Sequence, residues 1–305
     1  IDSFDIEFDK VGFEYEEGVK ILSDFSLKLD SGKLYALVGS SGSGKSTSLY
    51  ALIKEIKDDT INIVTLEDPV EYKMEGVNQI QVNSDVGLTF ANGLRSILRQ
   101  DPDVVMVGEI RDNETANLAV QAALTGHLVF STLHTNSAAG VLPRLLDMHI
   151  EPFLIASTVN TIIGQRLVRR IGPQHENYWS NPLETEMILS TVGHLLPKTK
   201  AEAAKISADL GYTDLPLAGQ KSYRLVRGRD TANTPRGYSG RAGLFEVMEV
   251  TEEIQQLITA RASSTEIQKK AIEQGMITMR QDGYLKALQG ITTLEEVNRV
   301  TSDIA

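Results

Sequence analysis

The run Gly39-Ser40-Ser41-Gly42-Ser43-Gly44-Lys45-Ser46-Thr47 leaves few folds open to this chain. It fits the pattern G-x-x-x-x-G-K-[ST]. The apolar stretch 34–38 leads into it as a strand would, and residues 49–56 lead out as a helix would. In that setting the glycines let consecutive backbone N–H groups wrap a polyphosphate, and the helix N-terminus adds a favourable field. Ser41, Gly42, Ser43, Gly44, Lys45, Ser46 and Thr47 are therefore the candidate nucleotide-binding residues. Lys45 is placed to reach the β- and γ-phosphates, and the Ser46 hydroxyl to take one Mg2+ position. A Gly/Ser-rich surface turn could imitate part of the pattern, but hardly with Lys-Ser in place and both flanks right. The expectation is a nucleoside-triphosphate site.

Apolar residues alternate from Phe4 to Tyr15 with the period of a strand, and residues 26–29 and 34–38 read as two more, divided by a turn at Asp30-Ser31-Gly32. Helix and strand then alternate. Strands are expected at 61–66, 103–107 and 127–132, and helices at 92–100, 113–124, 137–148 and 152–163. Such alternation implies an α/β fold with a mainly parallel sheet covered on both faces, with active residues at the carboxyl ends of the strands. Past Gly172 the character changes. Residues 173–240 hold Pro, Asn and Gly clusters, two short helices near 183–195 and 199–210, and a weak strand at 222–226. From Gly243 a short strand and three or four helices are expected, with capping-box spacing at Ser263/Glu266 and Thr293/Glu296.

At 305 residues, 41% hydrophobic and 23% charged, the composition is that of an ordinary globular protein. No run approaches the roughly 18 apolar residues of a membrane span, and no secretory signal opens the chain. Its first residue is Ile1 rather than Met, which suggests a piece of a longer protein. The expected location is cytoplasmic, or peripheral at an inner membrane. Absence of cysteine excludes disulfides and thiolate metal sites. A net charge of −11 argues against nucleic acid as a partner. Arg166, Arg169 and Arg170 are the exception, a local basic patch read as a solvated or inter-subunit face.

Two apolar strands end in acids. Asp103-Val104-Val105-Met106-Val107-Gly108-Glu109 would bring Glu109 beside the phosphate loop, where an acid orients an attacking water or holds Mg2+ through water. Leu66-Glu67-Asp68-Pro69 ends the other, and Glu67 is read as a Mg2+ or water ligand, with a plain turn acid as the alternative. His127 and His134 flank a third strand. Neutral imidazoles there could sense the γ-phosphate or link subunits, and a purely structural role stays open. Arg95, Arg99 and Arg111 are the candidates for neutralising γ-phosphate charge, Arg95 and Arg99 sharing one helix face. A salt-bridging role fits those two equally well.

From about Asn62 onward the chain closely resembles the secretion-superfamily ATPases that drive type II secretion and type IV pilus assembly. The stretches that carry the likeness are Val64-Thr65-Leu66-Glu67-Asp68-Pro69-Val70-Glu71-Tyr72, then 88–103, then Val107-Gly108-Glu109-Ile110-Arg111-Asp112. Segment 124–136 and Gln165-Arg166-Leu167-Val168-Arg169-Arg170 follow. Near the end, Gly240-Arg241-Ala242-Gly243-Leu244-Phe245-Glu246-Val247 and Thr293-Leu294-Glu295-Glu296-Val297 look like the assembly and secretion branch. The resemblance implies a RecA-like P-loop core, hexameric rings, ATP hydrolysis and docking on an inner-membrane platform protein. On matching positions it makes Lys45 and Ser46 nucleotide and Mg2+ residues, Glu109 the general base, Glu67 a metal or water ligand, and His127 with His134 a catalytic histidine pair. It also implies a division into 49–172 (core), 173–240 (inserted segment) and 241–305 (mostly helical), with 1–48 contributing strands and the loop.

Two departures stand out. Many members of that branch carry two Cys-x-x-Cys pairs that bind zinc; here Gly172-Pro173-Gln174-His175 stands where the first would fall and 229–232 where the second would, so no structural zinc is expected. Residues 3–48 instead resemble the start of an ABC-transporter nucleotide-binding domain, through 6–15, 21–27 and 32–47. In that family the aromatic at Tyr15 stacks on adenine; otherwise Tyr15 is an ordinary strand aromatic. This suggests a chimera joined at the phosphate loop and antiparallel first strands. It also suggests that the secretion family's large N-terminal domain is missing, with slow hydrolysis in consequence. A working ABC subunit is disfavoured because no Leu-Ser-Gly-Gly-Gln signature occurs; a scaffold that binds nucleotide without turnover is the non-enzymatic alternative.

Overall fold

Five consecutive apolar or small residues, Leu34–Val38, form strand β3, and all five are buried. A strand buried on both faces belongs inside a parallel sheet. The computed structural model describes residues 6–16, 19–212 and 214–302, with side-chain surroundings from Leu29 onward. Ahead of β3 run β1 (Ile6–Glu16) and β2 (Val19–Leu29), which form a separate two-stranded sheet. The side chain of Tyr15 lies outside the described residues.

After the loop come α1 (Lys45–Ile56), β4 (Ile63–Glu67), β5 (Asn78–Gln81), α2 (Phe90–Ile97), β6 (Val104–Val107) and α3 (Asn113–Leu124). Then follow β7 (Leu128–Leu133), α4 (Val141–Asp147), α5 (Pro152–Thr158) and β8 (Val159–Ile171). The chain continues with β9 (His175–Trp179), α6 (Pro182–Val192), α7 (Lys200–Asp209), β10 (Arg224–Gly228) and β11 (Tyr238–Glu249). Four helices close it: α8 (Glu252–Thr259), α9 (Ser264–Glu273), α10 (Met279–Leu288) and α11 (Leu294–Thr301).

The main sheet has seven strands in the order β11-β8-β3-β7-β6-β4-β5. From β8 through β5 every neighbouring pair is parallel. The register pairs Val38 with Leu133, Val107 with Ser131, and Leu66 with Val107. The carboxyl ends of β3, β7, β6 and β4 therefore finish along one edge, and the residues that follow them share it.

The chain divides into two compact units. One is built mainly on Ser26–Gly164 and Val247–Met276. Its core joins strand residues such as Leu34, Val105 and Val129 to Leu94, Ala119 and Leu142, and to Ile254 and Ile267 from α8 and α9. The other unit is built mainly on Gln165–Glu246 and residues 277–302. Its core holds Val168, Ile188, Tyr223, Leu244, Tyr284 and Val297. The units do not follow the linear order: Met248, Val250 and Ile254 carry 247–276 into the sheet unit, because their apolar side chains bury against it.

Three local readings differ from expectation. The helix read at 152–163 stops at Thr158; the β-branched residues Val159, Thr161, Ile162 and Ile163 enter β8 instead. Strand β9 carries no apolar alternation, and it forms because β10 pairs with it antiparallel, His175 facing Gly228 and Trp179 facing Arg224. Ser263 and Glu266 make a full capping box. Thr293 accepts from the Glu296 N–H, but the Glu296 side chain turns away to two arginines.

The two turns where zinc-binding pairs would fall face one another. The Arg229 N–H donates to the Gln174 carbonyl at 2.8 Å, and the Gly172 N–H to the Gly237 carbonyl at 2.9 Å. Thr231 and Thr234 share a hydroxyl contact of 2.6 Å beside them. Backbones cross so closely there that a Cβ on Gly237, which has φ of +81°, would lie 2.4 Å from Gly228.

Candidate functional site

The phosphate loop leaves β3 at Gly39 and enters α1 through Gly44, whose φ of 85° is left-handed and suits glycine. The residue before α1, Gly44, has no side chain to cap the first N–H groups of the helix. Side chains cap some of the other helices, Asp112 for α3 and Thr89 for α2. Lys45 is folded over the loop, donating to the carbonyls of Gly39 at 2.8 Å and Ser40 at 2.9 Å. Burial pushes its ammonium below the ordinary lysine range, while the Glu109 carboxylate acts in the opposite sense. Ser41, Gly42 and Ser46 are exposed, Gly44 and Thr47 half-buried, and Ser43 buried.

Glu109 follows β6 and is only 8% exposed. The backbone that carries it is fixed on both sides. The Gly108 N–H donates to the Leu66 carbonyl at 2.7 Å and the Ile110 N–H to the Thr132 carbonyl at 2.9 Å. Thr132 donates its hydroxyl to the Gly108 carbonyl at 2.7 Å. Gly108 packs so tightly on β4 that a Cβ there would sit 3.0 Å from the Leu66 carbonyl. Arg111 pairs with Oε1 of Glu109, and that contact raises the guanidinium's hold on its proton. Nε2 of His134 lies 3.2 Å from Oε2. Lys45, Glu109, Arg111 and His134 thus form one polar group at the sheet edge.

Glu67, 4% exposed at the end of β4, takes the Tyr50 hydroxyl on Oε2 and the Thr65 hydroxyl on Oε1 at 2.5 Å. Gln79 Nε2 reaches Oε1 at 3.3 Å. Burial first, and the hydrogen bond to Glu67 second, push the Tyr50 phenol well above its ordinary range. Sequence reasoning missed Tyr50, Thr65 and Gln79. The only available signal was strand register, since Thr65 and Gln79 face each other across β4 and β5.

His127 is not brought to this edge. It precedes β7, at the opposite end of that strand from His134, and its Nδ1 contacts the Ala122 carbonyl at 2.8 Å. Arg95 pairs with Glu114 and Arg99 is exposed. Of the three arginines read as a basic patch, Arg166 is buried and donates to the Val300 carbonyl, Arg169 pairs with Glu296, and Arg170 is exposed.

A parallel sheet with an uncapped, glycine-bounded helix start after one strand, a buried lysine on the loop and buried acids ending two nearby strands defines a P-loop nucleotide-binding protein. A family model described as Type II/IV secretion system protein matches residues 2–299, and the chain belongs to that family. It is 43% identical over 299 residues to type II secretion system protein E of Xanthomonas campestris pv. campestris, covering 97% of this chain and 48% of the relative. It is also 43% identical over 289 residues to the type IV pilus assembly ATPase PilB of Pseudomonas aeruginosa, covering 95% and 47%. The chain spans about half the length of the curated relatives it matches. Among solved structures, the pilus retraction motor PilT with bound ADP aligns with a TM-score of 0.60 and 28% identity, over 88% of this chain and 61% of that one. The ATPase DotB of Legionella pneumophila shares the fold, at a TM-score of 0.58, 21% identity, and 98% and 77% coverage.

Proposed function

We propose that this chain is the ATP-hydrolysing part of a motor for type II secretion or type IV pilus assembly, working in the cytoplasm at the inner membrane as part of a ring. The observation that carries the reading is the buried Glu109 carboxylate, whose charge acts on Lys45 of the phosphate loop. Membership of the secretion family supports it. In this reading ATP lies along residues 41–47, and Lys45 turns from the loop carbonyls to the phosphates. Glu109 acts as general base toward the attacking water, His134 senses the γ-phosphate beside it, and Glu67 orients water or metal.

Mg2+ suits the oxygen donors present: an exposed Ser46 hydroxyl and two buried carboxylates. Among the described residues no three His, Asp or Glu side chains cluster as a cage. In this reading Ser46, the phosphates and water would hold the ion, with Glu67 and Glu109 reaching it through water, and it would supply charge neutralisation at the triphosphate. Turnover by this chain alone is read as slow, because Arg95 and Arg111 are already paired with Glu114 and Glu109. An arginine from a neighbouring subunit is the reading's source of further charge, and a platform protein its membrane partner. The family match runs through the loop, from residue 2 to residue 299.

The test is equilibrium binding of MgATP together with phosphate release, for the protein and for Lys45→Ala. Retention of nucleotide and measurable release, both lost in the variant, support the reading. Binding without release favours a nucleotide-binding scaffold, and no binding at millimolar MgATP removes the reading altogether.

A further inference from the structure

Three donors converge on Glu67, and they have different origins. Thr65 and Gln79 lie on β4 and β5, opposite one another in the sheet, so their positions follow from strand pairing. Tyr50 comes from α1, the helix whose first residue is Lys45. Five residues of helix put its Cα about 7.5 Å further along the axis than that of Lys45.

The Tyr50 hydroxyl donates to Glu67 Oε2 and accepts from the Glu71 N–H at 3.2 Å. Its ring stands edge-on to Tyr72, with 4.6 Å between centroids. One phenol therefore joins the helix that begins in the phosphate loop, the acid at the end of β4 and the loop that follows that acid. A buried carboxylate held by donors on both oxygens has its plane fixed. Thr65 and Gln79 hold Oε1 alone, so loss of the phenolic O–H would leave Oε2 free to swing about that anchor.

We propose that Tyr50 is a positioning residue for ATP hydrolysis, acting through Glu67: it fixes the Glu67 carboxylate relative to the phosphate loop, so that α1 and this acid move together. The inference rests on the reading of Glu67 as a ligand to water or metal. The contacts of Tyr50 are with Glu67, the Glu71 N–H and Tyr72.

A double-mutant cycle on turnover tests it, with Tyr50→Phe, Glu67→Gln and the pair in this chain, and Lys45→Ala as the blank. The phenylalanine keeps the ring against Tyr72 and removes one oxygen. Tyr50→Phe is expected to lower kcat about tenfold with KM for MgATP changed by less than about twofold, and the pair to be no slower than Glu67→Gln alone. A merely structural tyrosine would instead lower kcat independently of Glu67, so that the two losses multiply; that result, or a kcat within about twofold of the unsubstituted protein, overturns the inference. Should Tyr50→Phe not fold, 3-fluorotyrosine at position 50 takes its place. It keeps the ring and strengthens the phenol as a donor, so a change in kcat at constant KM supports the inference and an unchanged kcat overturns it. If the unsubstituted protein releases no more phosphate than Lys45→Ala, the functional reading itself fails, an outcome separate from a silent Tyr50→Phe in an active protein.

Discussion

Glu296 is fully buried, yet it stays charged because four N–H groups point at it. The Arg169 backbone N–H reaches Oε1 at 3.0 Å and the Arg169 guanidinium reaches Oε2 at 2.6 Å. Arg299 adds bonds of 2.9 and 2.7 Å. Burial alone would raise the carboxyl; the hydrogen bonds from Arg299 and Arg169 outweigh it and hold the group at about 2, against an ordinary 4.5. A lowered native value means stability that is complete above 4.5 and disappears as pH falls toward 2. The difference corresponds to about 3 kcal/mol at neutral pH, of which about 2 kcal/mol is gone by pH 3. Glu296→Gln keeps the shape and removes the charge, so it forfeits this contribution at every pH. Urea unfolding followed by circular dichroism, at pH 7 and pH 3, compares the two proteins. The expected gap in unfolding free energy is about 3 kcal/mol at pH 7, closing by about 2 kcal/mol at pH 3. A gap that stays constant with pH would refute the ionised, arginine-clamped carboxylate.

Gly237→Ala should lower stability by about 2 kcal/mol or more, seen as a drop in Tm, because its φ is positive and the new Cβ meets the Gly228 backbone. An unchanged Tm would mean the crossing opens freely. Gly108→Ala forces a Cβ to 3.0 Å from the Leu66 carbonyl, and phosphate release is expected to fall several-fold while the fold survives. His127→Ala is expected to leave turnover within about twofold, since its ring bonds to Ala122 at the far end of β7, whereas His134→Ala should lower it about tenfold or more. Equal losses in the two histidine variants would contradict that placement.

Much of the sheet edge was legible beforehand because the signals are local. An apolar strand followed by an acid marked Glu109 and Glu67, and the glycine pattern marked the loop. Strands β4, β6 and β7 lie within a few residues of where apolar runs put them. What escaped depends on contacts distant in sequence. Tyr50 reads as one more buried residue of an apolar helix face, and only the crossing of α1 over β4 gives its hydroxyl a partner. His127 and His134 read from sequence as the two ends of one strand, and what only the fold gives is that His134 alone meets Glu109. Strand β9 has no periodicity of its own to detect, and the first five residues of β8, 159–163, were read as helix because their run continues directly from α5. Helices were expected after Gly243, but the burial of α8 against the sheet core was not legible.

Single-turnover phosphate release at matched nucleotide occupancy, for the protein and Glu109→Gln, bears most directly on the arrangement of strand-end acids around the phosphate loop. Equal MgATP binding with release reduced by a factor of about 100 or more in the variant is the predicted result. Equal release from both would contradict it.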